Sequence, residues 1–180
     1  MQPDDFVPFI GAGEDRYLGG PAEKAGFAID IERDKTATYA IYAEIVRGRL
    51  QPLDGAREFM EKARERGLML ALATSADKEK MLVNLREIGL PPEAFDVIVH
   101  GLDVAEKKPA PAIFLEAAKR LGTPIEHCLV VEDAVNGVAA ARAAGARCLA
   151  VMTSFSEDQL AGADWFANTL ADAPDEALGW

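Results

Sequence analysis

Two adjacent carboxylates, Glu132 and Asp133, directly follow the apolar run Leu129-Val130-Val131. Such a run is typical of a buried parallel strand, and the small residues after the acids are typical of a helix start. The two acids would then lie at the carboxyl end of a strand, beside the crevice where open α/β sheets bind ligands. Paired carboxylates there favour Mg²⁺, the usual partner of phosphate groups. The pattern predicts phosphate chemistry, with Glu132 and Asp133 as the metal ligands.

Two more polar groups follow apolar runs earlier in the chain. Thr74 and Ser75 come directly after residues 70–73, and Lys108 precedes Pro109-Ala-Pro in a loop after residues 95–99. A hydroxyl at a helix start can bind a phosphate oxygen, and a lysine on a stiff loop can offset phosphate charge. Each group alone is also consistent with a helix cap or a solvated charge. Their common position after strands favours a shared site.

The elements that must position these groups alternate between helix and strand from residue 51 onward. We expect helices over 54–66, 78–88, 112–121 and 135–144, and strands over 68–73, 95–99, 128–131 and 147–152, with a weaker strand near Trp165 and Phe166. This alternation predicts an α/β fold whose parallel sheet is covered by helices on both faces. Residues 1–50 show helical patterns only, so we predict a small helical cap over 1–50 and a core over 51–180.

Composition limits the classes of partner. The 180 residues include 19 Lys and Arg against 30 Asp and Glu, which gives a net charge of −11. This charge argues against nucleic acid or an anionic membrane surface as partner, but a local Mg²⁺ and one lysine can still attract a small phosphorylated molecule. The sequence shows no membrane-spanning run or secretory signal. We therefore expect a cytoplasmic protein, or one of an organelle stroma, that is a monomer or a weak homo-oligomer.

The order of Thr74, Lys108-Pro-Ala-Pro and Val-Val-Glu132-Asp133-Ala-Val-Asn-Gly resembles the haloacid dehalogenase superfamily. It is most similar to the branch that contains β-phosphoglucomutase and the CbbY-type sugar phosphatases. The resemblance implies a Rossmann-like core with a helical cap and a Mg²⁺-dependent phosphatase that acts on a small phosphorylated metabolite such as a sugar phosphate. It also implies that Thr74 and Lys108 are catalytic and that Ser75 contacts the substrate.

In this family an aspartate on the first core strand, in an Asp-x-Asp-Gly motif, attacks the phosphoryl group. That strand should precede the cap, and no apolar run before Asp4 fits it. We therefore expect the nucleophile to lie outside these 180 residues and the chain alone to be inactive. Loss of a central strand would leave backbone donors and acceptors unpaired in the core. A non-catalytic module that retains a phosphate or metal crevice is the alternative.

The resemblance also assigns the cap a role in substrate recognition. The segment Gly11-Ala12-Gly13-Glu14-Asp15-Arg16 resembles the glycine-containing cap loop of the sugar-phosphate branch. Arg16 matches the substrate-binding arginine of the CbbY-type pattern, whereas Glu14 stands where a basic residue is common. A β-phosphoglucomutase-like phosphomutase is a further alternative, although a second phosphate would need positive charge in the cap. Dehalogenation ranks lower, because the superfamily's dehalogenases need no Mg²⁺ and usually lack the paired acids.

Overall fold

The computed structural model describes residues 2–10 and 12–179, and in this part of the chain helices precede an alternation of helices and strands. The α-helices before residue 50 are α1 (Glu14–Lys24) and α2 (Ile31–Val46). The elements that follow are α3 (Ala56–Glu65), β1 (Ala71–Ala73), α4 (Lys78–Glu87), β2 (Val97–Val99), α5 (Ala112–Leu121), β3 (Leu129–Glu132), α6 (Val135–Ala144), β4 (Arg147–Val151) and β5 (Trp165–Ala167). The predicted α/β fold class is confirmed.

Glycines set the ends of the two helices that flank the acid pair. Gly122 follows α5 with φ 69° and Gly145 follows α6 with φ 84°, and this left-handed conformation stops a helix. Both helices match their predicted bounds residue for residue. None of the helices in the described ranges is long and apolar enough to cross a bilayer.

Strand β1 is shorter than its apolar run. The run that begins at Leu68 enters β1 only at Ala71, because the Leu68 N–H still bonds to the carbonyl of Ala63 at the end of α3. The Leu70 N–H donates instead to the Asp96 side chain at 2.7 Å. Residues 68–70 therefore form a connection, and only 71–73 pair as a strand.

The parallel strands form two separate sheets. In one, Ala71, Leu72 and Ala73 of β1 lie opposite residues 97–99 of β2. In the other, the order is β3-β4-β5, with all pairs parallel. A cavity of about 510 Å³ lies between β1 and β3 and is lined by residues 70–73 and 128–131 and by side chains of α3 and α5. We call this cavity the slot.

Helices cover both faces of the strands. Cys148 and Ala150 of β4 pack into a cluster with α5 and α6, whereas Leu149 between them packs into a second cluster with Phe59 of α3. Because alternate strand residues point to opposite faces, α3 lies on one side and α5 with α6 on the other. The first cluster also contains Val99 and Val130, so both sheets pack on the same helical layer.

Candidate active site

The carboxyl ends of β1 and β3 bring the predicted site residues to one edge of the core. Thr74 follows the last residue of β1, and Asp133 follows Glu132, the last residue of β3. Lys108 comes from the loop that connects β2 to α5. The strands within each sheet run parallel, and Lys108 after β2 contacts Glu132 at the end of β3, so these connections meet at one edge, where open α/β folds form their binding crevice.

A buried ion pair joins Lys108 to Glu132. The lysine side chain is 6% exposed and the glutamate side chain 8% exposed. Glu132 Oε1 contacts Lys108 Nζ, and Oε2 accepts the backbone N–H groups of Asp133 at 3.0 Å and Ala134 at 3.2 Å. Burial of a charge is costly without such partners, so this network fixes both side chains. The sequence motifs placed Lys108 and Glu132 at the same edge but did not predict that they pair.

Two neighbours shape the surroundings of this pair. The Lys108 ammonium lies 4.7 Å from the centre of the Phe114 ring, a cation–π contact that stabilises a desolvated cation. Gly137 lies in the first turn of α6, where a Cβ would collide with the Glu132 carboxylate. A glycine at position 137 is therefore required for the helix to approach the carboxylate this closely.

Asp133, unlike Glu132, has no ion-pair partner among the residues that the structure describes. Burial and the nearby charge of Glu132 raise the pKa of Asp133, although a hydrogen bond from Thr153 Oγ1 at 3.3 Å acts in the opposite direction. A carboxylate whose ionised form is disfavoured in this way gains stability when a cation binds beside it.

The residues present fit part of a Mg²⁺ site. Mg²⁺ commonly takes one or two protein carboxylates and completes its shell with water and phosphate oxygens. Asp133 can supply such an oxygen, whereas both Glu132 oxygens already have partners. Within residues 2–10 and 12–179, no three His, Cys, Asp or Glu side chains are close enough together to hold a metal. The predicted ligand roles of Glu132 and Asp133 stay predictions.

Thr74 has the geometry of a phosphate-binding hydroxyl. Its Oγ1 accepts the Ala76 N–H at 3.1 Å, which orients the side chain and leaves the hydroxyl proton to donate. Ser75 lies beside it, and the Ser75 carbonyl packs so closely on Gly101 that a Cβ there would collide. The catalytic role of Thr74 and the substrate contact of Ser75 stay predictions.

The segment before α1 lies against the loops at this edge. Asn136 Nδ2 donates to the Ile10 carbonyl at 2.9 Å, and the Cβ position of Gly13 is 3.3 Å from Lys107 Cγ. The sequence contained no signal for these contacts, because they join residues that are distant along the chain. Gly11, the first residue of the predicted cap loop, lies outside the described residues.

Arg16 contacts other residues of the cap. Its guanidinium lies 5.5 Å from the centre of the Phe9 ring and 3.7 Å from the Glu23 carboxylate, with 60% of the side chain exposed. Glu14, the acidic residue in the same loop, is buried and pairs with Lys80 at 2.8 Å. The substrate-binding role of Arg16 stays a prediction.

A second charge cluster, in which Lys35 and Asp77 are buried, joins α2 to the loop before α4. Lys35 of α2 lies 2.9 Å from Asp15 and 3.0 Å from Asp77, the residue that precedes α4. Burial lowers the pKa of Lys35, but the hydrogen bonds to the two carboxylates outweigh this effect and the net pKa is raised. The lysine therefore stays charged at neutral pH and holds α2 against the loop that begins with Thr74.

Comparison with known proteins agrees with this geometry. A family model of haloacid dehalogenase-like hydrolases matches residues 1–145. The chain is 45% identical over 159 residues to the chloroplastic protein SUPPRESSOR OF QUENCHING 1 of Arabidopsis thaliana, a match that covers 86% of this chain but 15% of that protein. It is 34% identical over 164 residues to CbbY of Rhodobacter capsulatus, covering 89% of this chain and 71% of CbbY.

A solved structure shows the same fold. CbbY from Rhodobacter sphaeroides in complex with phosphate superposes with a TM-score of 0.85 at 25% identity, over 99% of this chain and 84% of that one. The chain thus spans most of the CbbY proteins but only a small part of its larger plant relative. With the motifs, the fold and most of the chain matched, this protein belongs to the haloacid dehalogenase-like hydrolases.

Proposed function

We propose that these residues form the larger part of a Mg²⁺-dependent phosphatase for small phosphorylated metabolites, with a sugar phosphate as the favoured substrate. The buried Lys108–Glu132 pair beside Thr74 and Asp133 at the carboxyl edge of the sheets carries the proposal. A lysine held in place next to a hydroxyl donor and a carboxylate that a bound cation would stabilise is an arrangement suited to phosphoryl transfer.

The chemistry takes two displacements at phosphorus. An aspartate carboxylate from a strand outside these residues attacks the phosphorus atom, and the bond to the substrate oxygen breaks as that oxygen receives a proton from a second acid. A water molecule then attacks the phosphorus of the aspartyl-phosphate, the now deprotonated second carboxylate takes the water proton, and the bond to the first aspartate breaks to release inorganic phosphate. The first carboxylate is regenerated at the end of the cycle.

Residues of this chain position and neutralise the phosphoryl group. Lys108, held by Glu132, offsets the negative charge that the phosphoryl group and the nucleophile bring together. The Thr74 hydroxyl donates to a phosphoryl oxygen, because its own oxygen already accepts the Ala76 N–H. Asp133 would hold Mg²⁺, which when bound supplies positive charge to the phosphate oxygens.

The relatives support a sugar phosphate as substrate class. A mutant of CbbY from Rhodobacter sphaeroides was solved in complex with xylulose-(1,5)bisphosphate. A Thermotoga maritima protein that is 41% identical over 91 residues is named phosphorylated carbohydrates phosphatase. Glu14, already paired with Lys80, adds no positive charge for a second phosphate, so we favour hydrolysis over a phosphomutase.

A non-catalytic module is the second candidate for the chain on its own. The partners of Glu132 favour it, because both glutamate oxygens are already bonded within the protein and, of the acid pair, Asp133 remains to bind a cation. The two candidates differ only in whether an aspartate-bearing strand reaches the site. Cytoplasmic location and monomeric state also stay predictions.

The first test compares phosphate release by the chain with and without an aspartate-bearing strand. We expect the 180 residues alone to release no phosphate above background. The same residues joined to an apolar strand ending in Asp-x-Asp-Gly should hydrolyse p-nitrophenyl phosphate or a member of a sugar-phosphate panel, and EDTA should abolish the release. Robust Mg²⁺-dependent turnover by the 180 residues alone, or none by the joined protein across the panel, would contradict the proposal.

The second test separates the chemistry of Lys108 from its structural role. In the strand-bearing protein, Lys108→Met should lower kcat/KM by roughly 10²- to 10³-fold and destabilise folding by about 3 kcal/mol, because it leaves Glu132 buried and unpaired. The double variant Lys108→Met/Glu132→Gln should recover most of the stability in urea unfolding but none of the activity.

Lys119→Met is the matched control, because the Lys119 side chain is 80% exposed. It should change stability by no more than about 0.5 kcal/mol and leave turnover unchanged. Recovery of activity in the double variant would show that Lys108 acts only through packing.

The third test uses the raised pKa of Asp133. A carboxyl whose pKa is higher in the folded than in the unfolded state favours folding at low pH, and this contribution is lost as pH rises through the folded pKa. Without divalent cations, Asp133→Asn should therefore be more stable than the parent at pH 7, and the difference should shrink towards pH 3.

In the strand-bearing protein, added Mg²⁺ should make the parent more stable than the Asp133→Asn variant. At ten times its dissociation constant, Mg²⁺ should stabilise the parent by about 1.4 kcal/mol and the Asn variant by much less. Urea unfolding between pH 3 and pH 7, with EDTA or Mg²⁺, measures both effects. An equal response of the two proteins to Mg²⁺ would count against Asp133 as the ligand.

A further inference from the structure

Asp77 occupies the N-cap position of α4, but its side chain does not cap the helix. Its backbone is extended, with φ −67° and ψ 159°, and its carbonyl accepts the Met81 N–H at 3.0 Å, as the N-cap carbonyl of a helix does. An N-cap aspartate usually turns its carboxylate back to an N–H group of the first turn, here that of Glu79 or Lys80. Asp77 makes no such bond, so its carboxylate is directed elsewhere.

The Asp77 carboxylate contacts Lys35 of α2 instead. Lys35 Nζ lies 3.0 Å from Asp77 Oδ2, 2.9 Å from Asp15 Oδ1 and 3.7 Å from the Glu32 carboxylate. The side chain of Asp77 is 12% exposed, whereas those of Asp15 and Glu32 are 63% and 85% exposed. Water can stabilise the two exposed acids without the lysine, but a buried carboxylate needs its partner. Of these three acids, Asp77 therefore depends most on Lys35.

A second ion pair holds the first turn of α4 independently of Lys35. Lys80 in this turn lies 2.8 Å from Glu14 at the start of α1, and its ammonium is 5.2 Å from the centre of the Tyr42 ring in α2. The turn is thus attached to both α1 and α2 by contacts of its own. Loss of Lys35 would free the Asp77 side chain but leave the start of the helix in place.

Asp77 lies three residues after Thr74, whose hydroxyl has the geometry for binding a phosphate oxygen. Backbone bonds fix the loop between them, since the Thr74 N–H donates to the Val99 carbonyl at 3.0 Å and the Gly101 N–H donates to the Ala76 carbonyl at 2.8 Å. The position of the Asp77 carboxylate can therefore change while this backbone stays in place. An unpaired carboxylate there would repel a phosphoryl group that approaches Thr74.

A purely structural tie between α2 and the loop is the alternative role for Lys35. In that case removal of Lys35 and removal of Asp77 would have similar effects, because both break the same contact. The exposures of the partners predict a different result. Without Asp77, Lys35 still pairs with Asp15, whereas Lys35 is the one cation that pairs with Asp77 among the residues that the structure describes.

We propose that Lys35 is a positioning residue for the loop that carries Thr74, a role that rests on the proposed function. Lys35 holds the Asp77 carboxylate towards α2, where its charge is balanced, and away from the N–H groups of α4. Without Lys35, the carboxylate turns back to cap α4 and carries an unpaired negative charge close to the phosphoryl group that Thr74 binds. Lys35 therefore favours binding of the phosphorylated substrate without touching the reacting atoms.

Steady-state kinetics of the strand-bearing protein, with its best substrate from the sugar-phosphate panel, test this role. Lys35→Met should raise KM at least about tenfold and leave kcat within about threefold. Asp77→Asn should leave KM within about threefold, since Lys35 keeps Asp15 as a partner. The double variant Lys35→Met/Asp77→Asn should return KM to within about threefold of the parent, because an asparagine can cap α4 without a charge.

Arg33→Met is the matched control, because it also removes one positive charge from α2. The Arg33 side chain is 72% exposed and pairs with Asp34, so this variant should leave KM within about twofold. Urea unfolding shows which variants are folded under the assay conditions, and Lys35→Gln, with an expected rise in KM of at least about fivefold, replaces a Lys35→Met that does not fold. A rise in KM that persists in the double variant would show that Lys35 acts through packing, and it would overturn the proposal.

Amide hydrogen exchange in the 180-residue chain tests the movement of the carboxylate without catalysis. In Lys35→Met, the amide of Glu79 or Lys80 should exchange at least about fivefold more slowly than in the parent, relative to amides in the middle of α4, because Asp77 now accepts its hydrogen bond. Arg33→Met should leave both amides unchanged. Unchanged exchange of both amides in the folded Lys35 variants would overturn the proposal, whatever the kinetics show.

Binding of inorganic phosphate separates this role from the phosphatase proposal. If the strand-bearing protein hydrolyses no substrate, the phosphatase proposal fails, and the Kd of inorganic phosphate, measured by calorimetry with Mg²⁺, takes the place of KM in the same comparisons. A Kd that rises at least about tenfold in Lys35→Met and recovers in the double variant would support Lys35 as the positioning residue. A Kd that is equal in all variants, or no binding of phosphate by the parent, would overturn that role.

Discussion

The facing edges of β1 and β3 constrain the rest of this structure. Strands inside a parallel sheet bond on both sides, yet Ala71, Ala73, Leu129 and Val131 direct their backbone groups into an apolar cavity. The two sheets are held at this spacing by a shared layer of helices, since α5 packs against β1 and β2 and also contacts α6. The slot therefore divides the core into two sheets that share one helical layer.

The second constraint is the pairing of charges at the carboxyl edge. Lys108 and Glu132 neutralise each other within the protein, and the N–H groups at the start of α6 satisfy the remaining glutamate oxygen. Burial and the charge of Glu132 raise the pKa of Asp133, although the Thr153 hydrogen bond and the Lys108 charge act in the opposite direction. The buried Lys108–Glu132 pair is therefore balanced in charge, as a site in an apolar core requires. Asp133 remains available to bind a cation, which can in turn attract a phosphate. The Lys35 cluster holds α2 against the loop that follows β1.

Local sequence patterns predicted the helices, the strands and the sheet edge that carries the site residues, because these features depend on residues close together in sequence. Helical periodicity and the glycines that end the helices give α5 and α6 their bounds. Apolar runs locate the strands whose ends carry Thr74 and Asp133. The Lys108–Glu132 pair and the Lys35 cluster could not be predicted, since they join residues separated by 20 or more positions in sequence. The length of β1 was also overestimated, because the carbonyl of Ala63 and the Asp96 side chain bond the first residues of its apolar run.

Amide hydrogen exchange along β1 and β3 tests the divided sheet most directly. In the chain alone, the amides of Ala71, Ala73, Leu129 and Val131 should exchange at least about tenfold faster than those of Leu72, Thr74, Val130 and Glu132, which bond to the neighbouring strand. This alternation of fast and slow amides is the result that an open slot requires. Uniform protection along both strands would show that their inner edges are already paired, and it would contradict a sheet divided at the slot.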